Sequence, residues 1–93
     1  MSARFEFNDI KNEVNNRKHG ISLNQAEEFD FATAIIDLDQ RWNYGELRFL
    51  AMGMIGSRLH VLVYTLRGDV IRVISLRKAN KREVRQYEKK YED

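Results

Sequence analysis

Arg48, Arg58, Arg67, Arg72, Arg77 and Arg82 recur through the second half of this 93-residue chain, in and beside segments rich in aliphatic residues. A guanidinium stays charged at every physiological pH and offers five N–H groups in one plane, a geometry that matches phosphate and carboxylate oxygens. Placed in a segment built for burial, it needs a partner. Two readings follow. Arg72 pairs with a carboxylate of the acidic half, such as Glu46 or Asp37. Alternatively the six guanidiniums gather on a sheet and its rim as a phosphate-binding site, which their spread over three strands and one helix start favours. His19 and His60 are the two histidines, the side chains whose ordinary pKa lies near neutrality, and so the imidazole candidates for a general base. His60 in mid-strand also reads as a satisfied sheet residue, and His19, just before Gly20, as a complement to a helix dipole. Tyr87 can stack or move a proton, but Val84, Tyr87 and Tyr91 are spaced as a helical core stripe.

The elements that must hold these groups are legible in outline. "ARFEF" alternates like a strand. Asn8 is a good N-cap for a helix whose Ile10 and Val14 share a face and which ends at Gly20. "ISLNQAEEF" starts a second helix, with Ser22 and Gln25 at capping-box spacing, Ile21 and Ala26 placed for a staple, and Ala26 and Phe29 toward the core. "TAIIDLD" reads as a strand, and "QRWNYGE" as a loop with two aromatics, Trp42 and Tyr44. "LRFLAMGM", "RLHVLVYTL" and "DVIRVISL" form an antiparallel meander with tight turns at 56–57 and 67–68. "ANKREVRQYEKKYED" is a final helix opened by Asn80 and Glu83. The two turns set a register. Residues 50, 52, 54, 59, 61, 63, 70, 74 and 76 share the core face, with Arg48 and Arg72 at its margin. His60, Ser75 and Arg77 lie on the other face with Phe49, Ala51, Gly53, Leu62, Tyr64, Ile71 and Val73. The fold class is α+β, helices packed on an antiparallel sheet.

Length and composition point to one domain spanning 1–93, with 43% hydrophobic residues and no cysteine, hence no disulfide framework and no thiolate metal site. No apolar run reaches membrane-spanning length and no signal segment is visible, so a soluble cytoplasmic protein is expected. The net charge of +2 hides an asymmetry: residues 1–46 hold five Lys/Arg against nine Asp/Glu, and residues 47–93 eleven against five. A basic half of this kind suits a polyanion such as a nucleic acid.

These segments resemble, almost end to end, the BrnT family of bacterial type II toxins, small RelE-like ribonucleases. "FEFNDIKNEVNNRKHGISLNQAEEF" is similar to the family's opening, "GELRFLAMG" to its G-E-x-R segment, and "LVYTLRGDVIRVISLRKANKREVRQYE" to its closing strand and helix. Leu76 departs from the family's small residue within I-S-A-R; it narrows the cleft if it lines one, and alters only packing if it faces the core. The resemblance implies a RelE-like fold: an antiparallel meander sheet with two N-terminal helices and a C-terminal helix packed on it. It implies an endoribonuclease that needs no metal or other cofactor, cleaves messenger RNA by 2′-hydroxyl attack and arrests growth. It implies Arg48, Arg67, Arg72, Arg77, Arg82 and Tyr87 as catalytic, with Arg77 and Arg82 as phosphate clamps, and Arg58, His60, Lys78 and Lys81 as RNA contacts. A BrnA-like, DNA-binding antitoxin would neutralise the toxin and repress the operon with it, in a complex that can hold a toxin dimer. The alternative is a non-catalytic module that binds nucleic acid or the antitoxin.

Overall fold

Glycine opens both tight turns of the sheet. Gly56 and Gly68 each adopt φ 61° while Ser57 and Asp69 keep negative φ, the pattern of a type II′ hairpin, whose twist suits the flanking strands. The turns join β3 (Phe49–Ile55), β4 (Arg58–Arg67) and β5 (Val70–Lys78). The second turn is Gly68-Asp69, one residue later than the sequence suggested, because Arg67 still pairs with Val70. The structure, a computed structural model, describes residues 4–91. Its other elements are β1 (Arg4–Glu6), α1 (Asp9–His19), a 3₁₀ helix (Leu23–Glu28), β2 (Ile35–Leu38) and α2 (Lys81–Lys90). Ala3 and the end of the last expected helix, Glu92 and Asp93, lie outside the described residues.

The five strands form one sheet in the order β1-β5-β4-β3-β2. β3 to β5 make the expected antiparallel meander and β2 adds to it antiparallel beside β3, but β1 joins the outer edge of β5 in parallel, Phe5 opposite Ile71. The sheet is therefore mixed within an α+β fold.

Register decides what each face carries. Val63 pairs with Ser75 but Tyr64 pairs with Val73, so Ile74 is an extra residue, a β-bulge in β5. A bulge re-phases everything beyond it. Before it, β5 follows the sequence reading, with Val73 beside Tyr64. After it the faces exchange: Leu76 pairs with Leu62 and Arg77 with Val61. The expected placement of Leu76 with Val61, and of Ser75 and Arg77 with His60, is thus overturned by one residue.

Helices cover both faces. On the first, Ile21, Leu23, Ala26 and Phe29 pack with Ala51, Leu62, Tyr64, Val73 and Leu76, joined by Phe5, Phe31 and Phe49. This is the main core, on the face the sequence suggested was mixed. Leu76 is fully buried here, so its departure from the family pattern concerns packing. The second face holds a smaller cluster, Leu59 and Val61 with Ala79, Val84 and Tyr87. α2 packs over that part alone and buries none of its own residues completely.

The caps formed selectively. Asn8 Oδ1 accepts from the N–H groups of Ile10 and Lys11, and Gly20 ends α1 at φ 71°. In α2, Asn80 and Glu83 complete the capping box. Ser22 does not cap: its hydroxyl donates to Asn12 Oδ1, and the second helix is 3₁₀. Ile10 and Val14, which share a helical face by their spacing, are exposed. α1 instead buries Asn15, whose Nδ2 donates to Leu76 O (2.8 Å) and Ile21 O (3.0 Å), and whose Oδ1 accepts from Leu76 N–H (3.1 Å). The reason is a gap in the sheet. Ala79 N–H bonds Leu59 O, so alternation makes Leu62/Leu76 a non-hydrogen-bonded pair, and the peptide groups of Leu76 point away from β4. β1 reaches only as far as Arg72. The Asn15 amide takes the place of the missing strand. Among the described residues no helix is long and apolar enough to cross a membrane.

Candidate functional site

Arg72 and Arg77 are five residues apart, an odd spacing that would send them to opposite faces of a regular strand. The bulge at Ile74 puts both on the second face, Arg72 beside Thr65 and Arg77 beside Val61. Arg67 joins them by alternation along β4, and Arg48 precedes Leu50 on the same side. The six residue steps from Val61 to Arg67 span roughly 20 Å at about 3.3 Å per step. The second face therefore carries a row of four arginines from the sequence-derived set, beginning where α2 stops covering the sheet.

Each is held by a carboxylate. Arg72 Nη1 donates to Glu6 Oε1 of β1 at 3.1 Å, so its partner is the neighbouring strand's glutamate and not Glu46 or Asp37. Glu46 instead lies between Arg48 (3.3 Å) and Arg67 (4.0 Å). Arg77 makes a fork with Glu83, Nη1 to Oε1 at 2.8 Å and Nη2 to Oε2 at 2.7 Å. Glu83 Oε1 also accepts from Asn80 N–H at 2.9 Å, so one carboxylate both caps α2 and aims Arg77. The ion pair and hydrogen bonds raise the Arg77 pKa and lower that of Glu83. Arg77 keeps its Nε–H and one Nη2 proton for another acceptor, because its remaining contact is Nη1 to Lys78 O at 3.3 Å.

Beside this row a groove of about 710 Å³ runs under α2. Met54, Leu59, Ala79, Val84 and Tyr87 give it an apolar lining, and Arg58, Lys81 and Arg85 are its cations. Arg58 Nη2 donates to Ala79 O at 3.3 Å. Among the described residues, none of these three cations is in an ion pair. Lys81 and Arg85 are one helical turn apart, the signal by which Arg85 was readable alongside Lys81.

The other sequence candidates disperse. Arg82 stands exposed in the first turn of α2. Lys78 pairs with His60 on the main core face, exposed at the strand end. His60 is buried there, Nδ1 2.9 Å from Arg58 O, across the sheet from Arg77. Tyr87 packs with the smaller cluster and donates its hydroxyl to Thr33 O at 2.9 Å, as a residue tying α2 down would. His19, by contrast, is electrostatically coupled to Arg77. Partial burial, then the charges of Lys18 and Arg77, lower its pKa from the ordinary 6.5, favouring the neutral imidazole a base requires.

The far end of the row is built by the β2–β3 loop, which sequence reasoning left as aromatic residues without a frame. Asp39 is buried and accepts from Arg41 Nε and Nη2, both at 2.8 Å, and from the Tyr44 hydroxyl at 3.2 Å. The Arg41 hydrogen bonds hold its carboxyl well below the usual range, at about 2. The Arg48 guanidinium lies 4.1 Å above the Tyr44 ring. No single local pattern announced Asp39–Arg41, since Asp39 closes the segment read as a strand and Arg41 lies in the loop after it.

Arginines in a row and a cation-rimmed apolar groove form a surface that can bind phosphodiesters and bases together. No curated protein matches this chain. A family model described as the ribonuclease toxin, BrnT, of a type II toxin–antitoxin system matches residues 7–83, from the end of β1 through the Arg77–Glu83 fork. The chain belongs to the BrnT family of ribonuclease toxins of type II toxin–antitoxin systems.

Proposed function

We propose that this toxin is a metal-independent endoribonuclease that cleaves messenger RNA on the arginine face, arrests growth and is neutralised by a BrnA-like antitoxin. The observation that carries the reading is the bulge-directed gathering of Arg48, Arg67, Arg72 and Arg77 on one face, beside the groove of Arg58, Lys81 and Arg85. The substrate's 2′-hydroxyl attacks phosphorus while His19 takes its proton; the new O–P bond forms as the bond to the 5′-oxygen breaks, and the departing 5′-oxygen takes a proton from water. The phosphorane carries more negative charge than the diester, so pre-placed guanidiniums stabilise it more than the ground state. Arg77, with two N–H groups uncommitted, contacts that phosphate, and Arg82 at the start of α2 reaches a neighbouring one. The nearby carboxylates of Glu6, Glu46 and Glu83 hold guanidiniums, which supports chemistry through arginine and not through a carboxylate-bound cation. Tyr87 supports the groove through packing.

The test is incubation of purified toxin with RNA, with and without a chelator of divalent cations. Cleavage in both, giving 2′,3′-cyclic phosphate ends and slowed about 100-fold in a folded Arg77→Ala, is the expected result. A second reading, a non-catalytic module that only holds the antitoxin, is favoured by the carboxylate on each arginine of the row. Intact RNA after incubation with folded wild type, together with tight antitoxin binding, would establish it.

A further inference from the structure

The tip of the β2–β3 loop presents an indole to solvent from a rigid frame. Trp42 is 74% exposed, the most exposed of the large apolar side chains described. An indole free in water on a flexible loop would need no explanation, but this loop is fixed on both sides of it. Arg41 is tied to buried Asp39 through its backbone N–H (3.3 Å) and both guanidinium bonds. Tyr44, two residues after Trp42, is tied to the same carboxylate. Asn43 Oδ1 accepts from Gly45 N–H at 3.1 Å, and Gly45 turns the chain at φ 73°. Asp39 N–H itself bonds Arg48 O at 2.7 Å, closing the loop on its own base. Trp42 shares a surface cleft with Arg41, Tyr44, Glu46 and Arg48. Glu46 links Arg48 to Arg67, so the cleft opens onto the end of the arginine row.

We propose that Trp42 is the base-stacking residue of a substrate-binding subsite: a base of single-stranded RNA lies on its indole while the flanking phosphates reach Arg48 and Arg67. The inference rests on the ribonuclease reading and extends it to a position remote from Arg77. Every base has a flat π-face, so an aromatic platform next to guanidiniums grips a strand without reading its sequence. A pre-ordered loop avoids the entropic cost of fixing the indole at binding. The cleft itself is charge-balanced, Arg41 and Arg48 against Asp39 and Glu46, with Leu38 and Leu47 beside the indole; what favours nucleic acid over a protein segment as its occupant is that it opens onto Arg67 and the arginine row.

The chain holds one tryptophan, so its emission reports this site alone. The experiment titrates wild type with a short mixed-sequence RNA carrying 2′-O-methyl groups, which cannot be cut by 2′-hydroxyl attack, and follows indole fluorescence. In parallel, KM and kcat for unmodified RNA and affinity for the antitoxin are compared between wild type, Trp42→Ala and Trp42→Phe. The proposal expects saturable quenching, a KM about 10-fold higher in Trp42→Ala with kcat nearly unchanged, and recovery of most of that loss in Trp42→Phe. Trp42 is exposed, so the variants are expected to melt like wild type. Unmoved emission from a wild type that cleaves RNA overturns the subsite and leaves the ribonuclease reading intact. So does a Trp42→Ala that keeps its KM and loses antitoxin affinity. Quenching by the modified RNA in a wild type that cuts nothing supports the subsite and overturns the catalytic reading instead.

Discussion

Replacing Asn15 with alanine should cost this protein far more than its polar helix position suggests. The amide makes three hydrogen bonds, two to the peptide of Leu76 and one to Ile21 O, all buried. Removing it strands one N–H and two carbonyls with no room for bulk water. At roughly 1 kcal/mol net per bond the loss is about 3 kcal/mol, and it is larger if the stranded groups stay dry. A domain of this length has a stability of the order of 5–14 kcal/mol. The melting temperature should therefore fall by about 12–24 °C. The neighbouring exposed Asn16 is the control, and Asn16→Ala should change stability by less than about 0.5 kcal/mol. Thermal and urea unfolding give the global effect. Amide exchange at Leu76 gives the local one, since that N–H loses its acceptor and should exchange much faster than its strand neighbours. A loss below about 1 kcal/mol, with the Leu76 amide still protected, would refute the argument that Asn15 substitutes for an absent strand.

Four further outcomes are expected. Glu83→Gln keeps an acceptor for Asn80 but removes the charge that competes for Arg77; RNA binding should tighten and its salt slope steepen by about 0.7, the increment for one more phosphate on a single strand, as read by titrations at several salt concentrations. Asp39 has a folded pKa of about 2, below its unfolded value, so its stabilisation is present above pH ~4 and lost as pH falls toward 2; in Asp39→Asn the acid limb of stability against pH should flatten in that window in denaturant titrations. The His19 pKa is lowered, so cleavage should lose its base as pH falls through a value below 6.5, and that limb should vanish from the pH–rate profile of His19→Gln along with most of the rate. At Gly53 an added Cβ would stand 2.5 Å from the Phe29 ring; Gly53→Ala should destabilise by about 1–3 kcal/mol in chemical denaturation, and a neutral result would mean the ring has room to turn.

The elements of this fold were legible where the signal is local. Gly56 and Gly68 mark their turns, Asn8 and Asn80 their helix starts, and alternation marks β3 and β4, because each reports a conformation that the residue itself prefers. The misses share a different origin. β1 reads as a strand, but nothing within three residues says that its neighbour is β5, over 60 residues away, or that it runs parallel. Ile10 and Val14 have helical spacing, yet the contact that docks α1 is polar: an amide satisfying a peptide leaves no apolar stripe for periodicity to find. The arginines were readable as a set by residue type, but not their partners. Glu6 faces Arg72 only through the parallel pairing of β1, and Asp39–Arg41 only through the fold of a loop.

The bulge joins these strands of the argument. "VIRVIS" is compatible with either face at every position but one, since Val, Ile and Ser tolerate both, so an extra residue costs the pattern nothing visible. The guanidinium of Arg77 does distinguish the faces. Were β5 regular, alternation would put Arg77 on the main core face opposite His60, where Lys78 now stands exposed at the strand end, away from Glu83 and the arginine row. Leu76 would then lie on the arginine face and leave the core short of a side chain that is now fully buried. One inserted residue resolves both at once. It seats Leu76 against Leu62, where the Asn15 amide holds its peptide, and turns Arg77 toward Glu83 and the open row. Bulges recur beside functional sites because they re-aim a side chain without moving the sheet. Here the same device that completes the core also assembles the arginine face, so the packing of β5 and the chemistry of the toxin are specified by a single register shift.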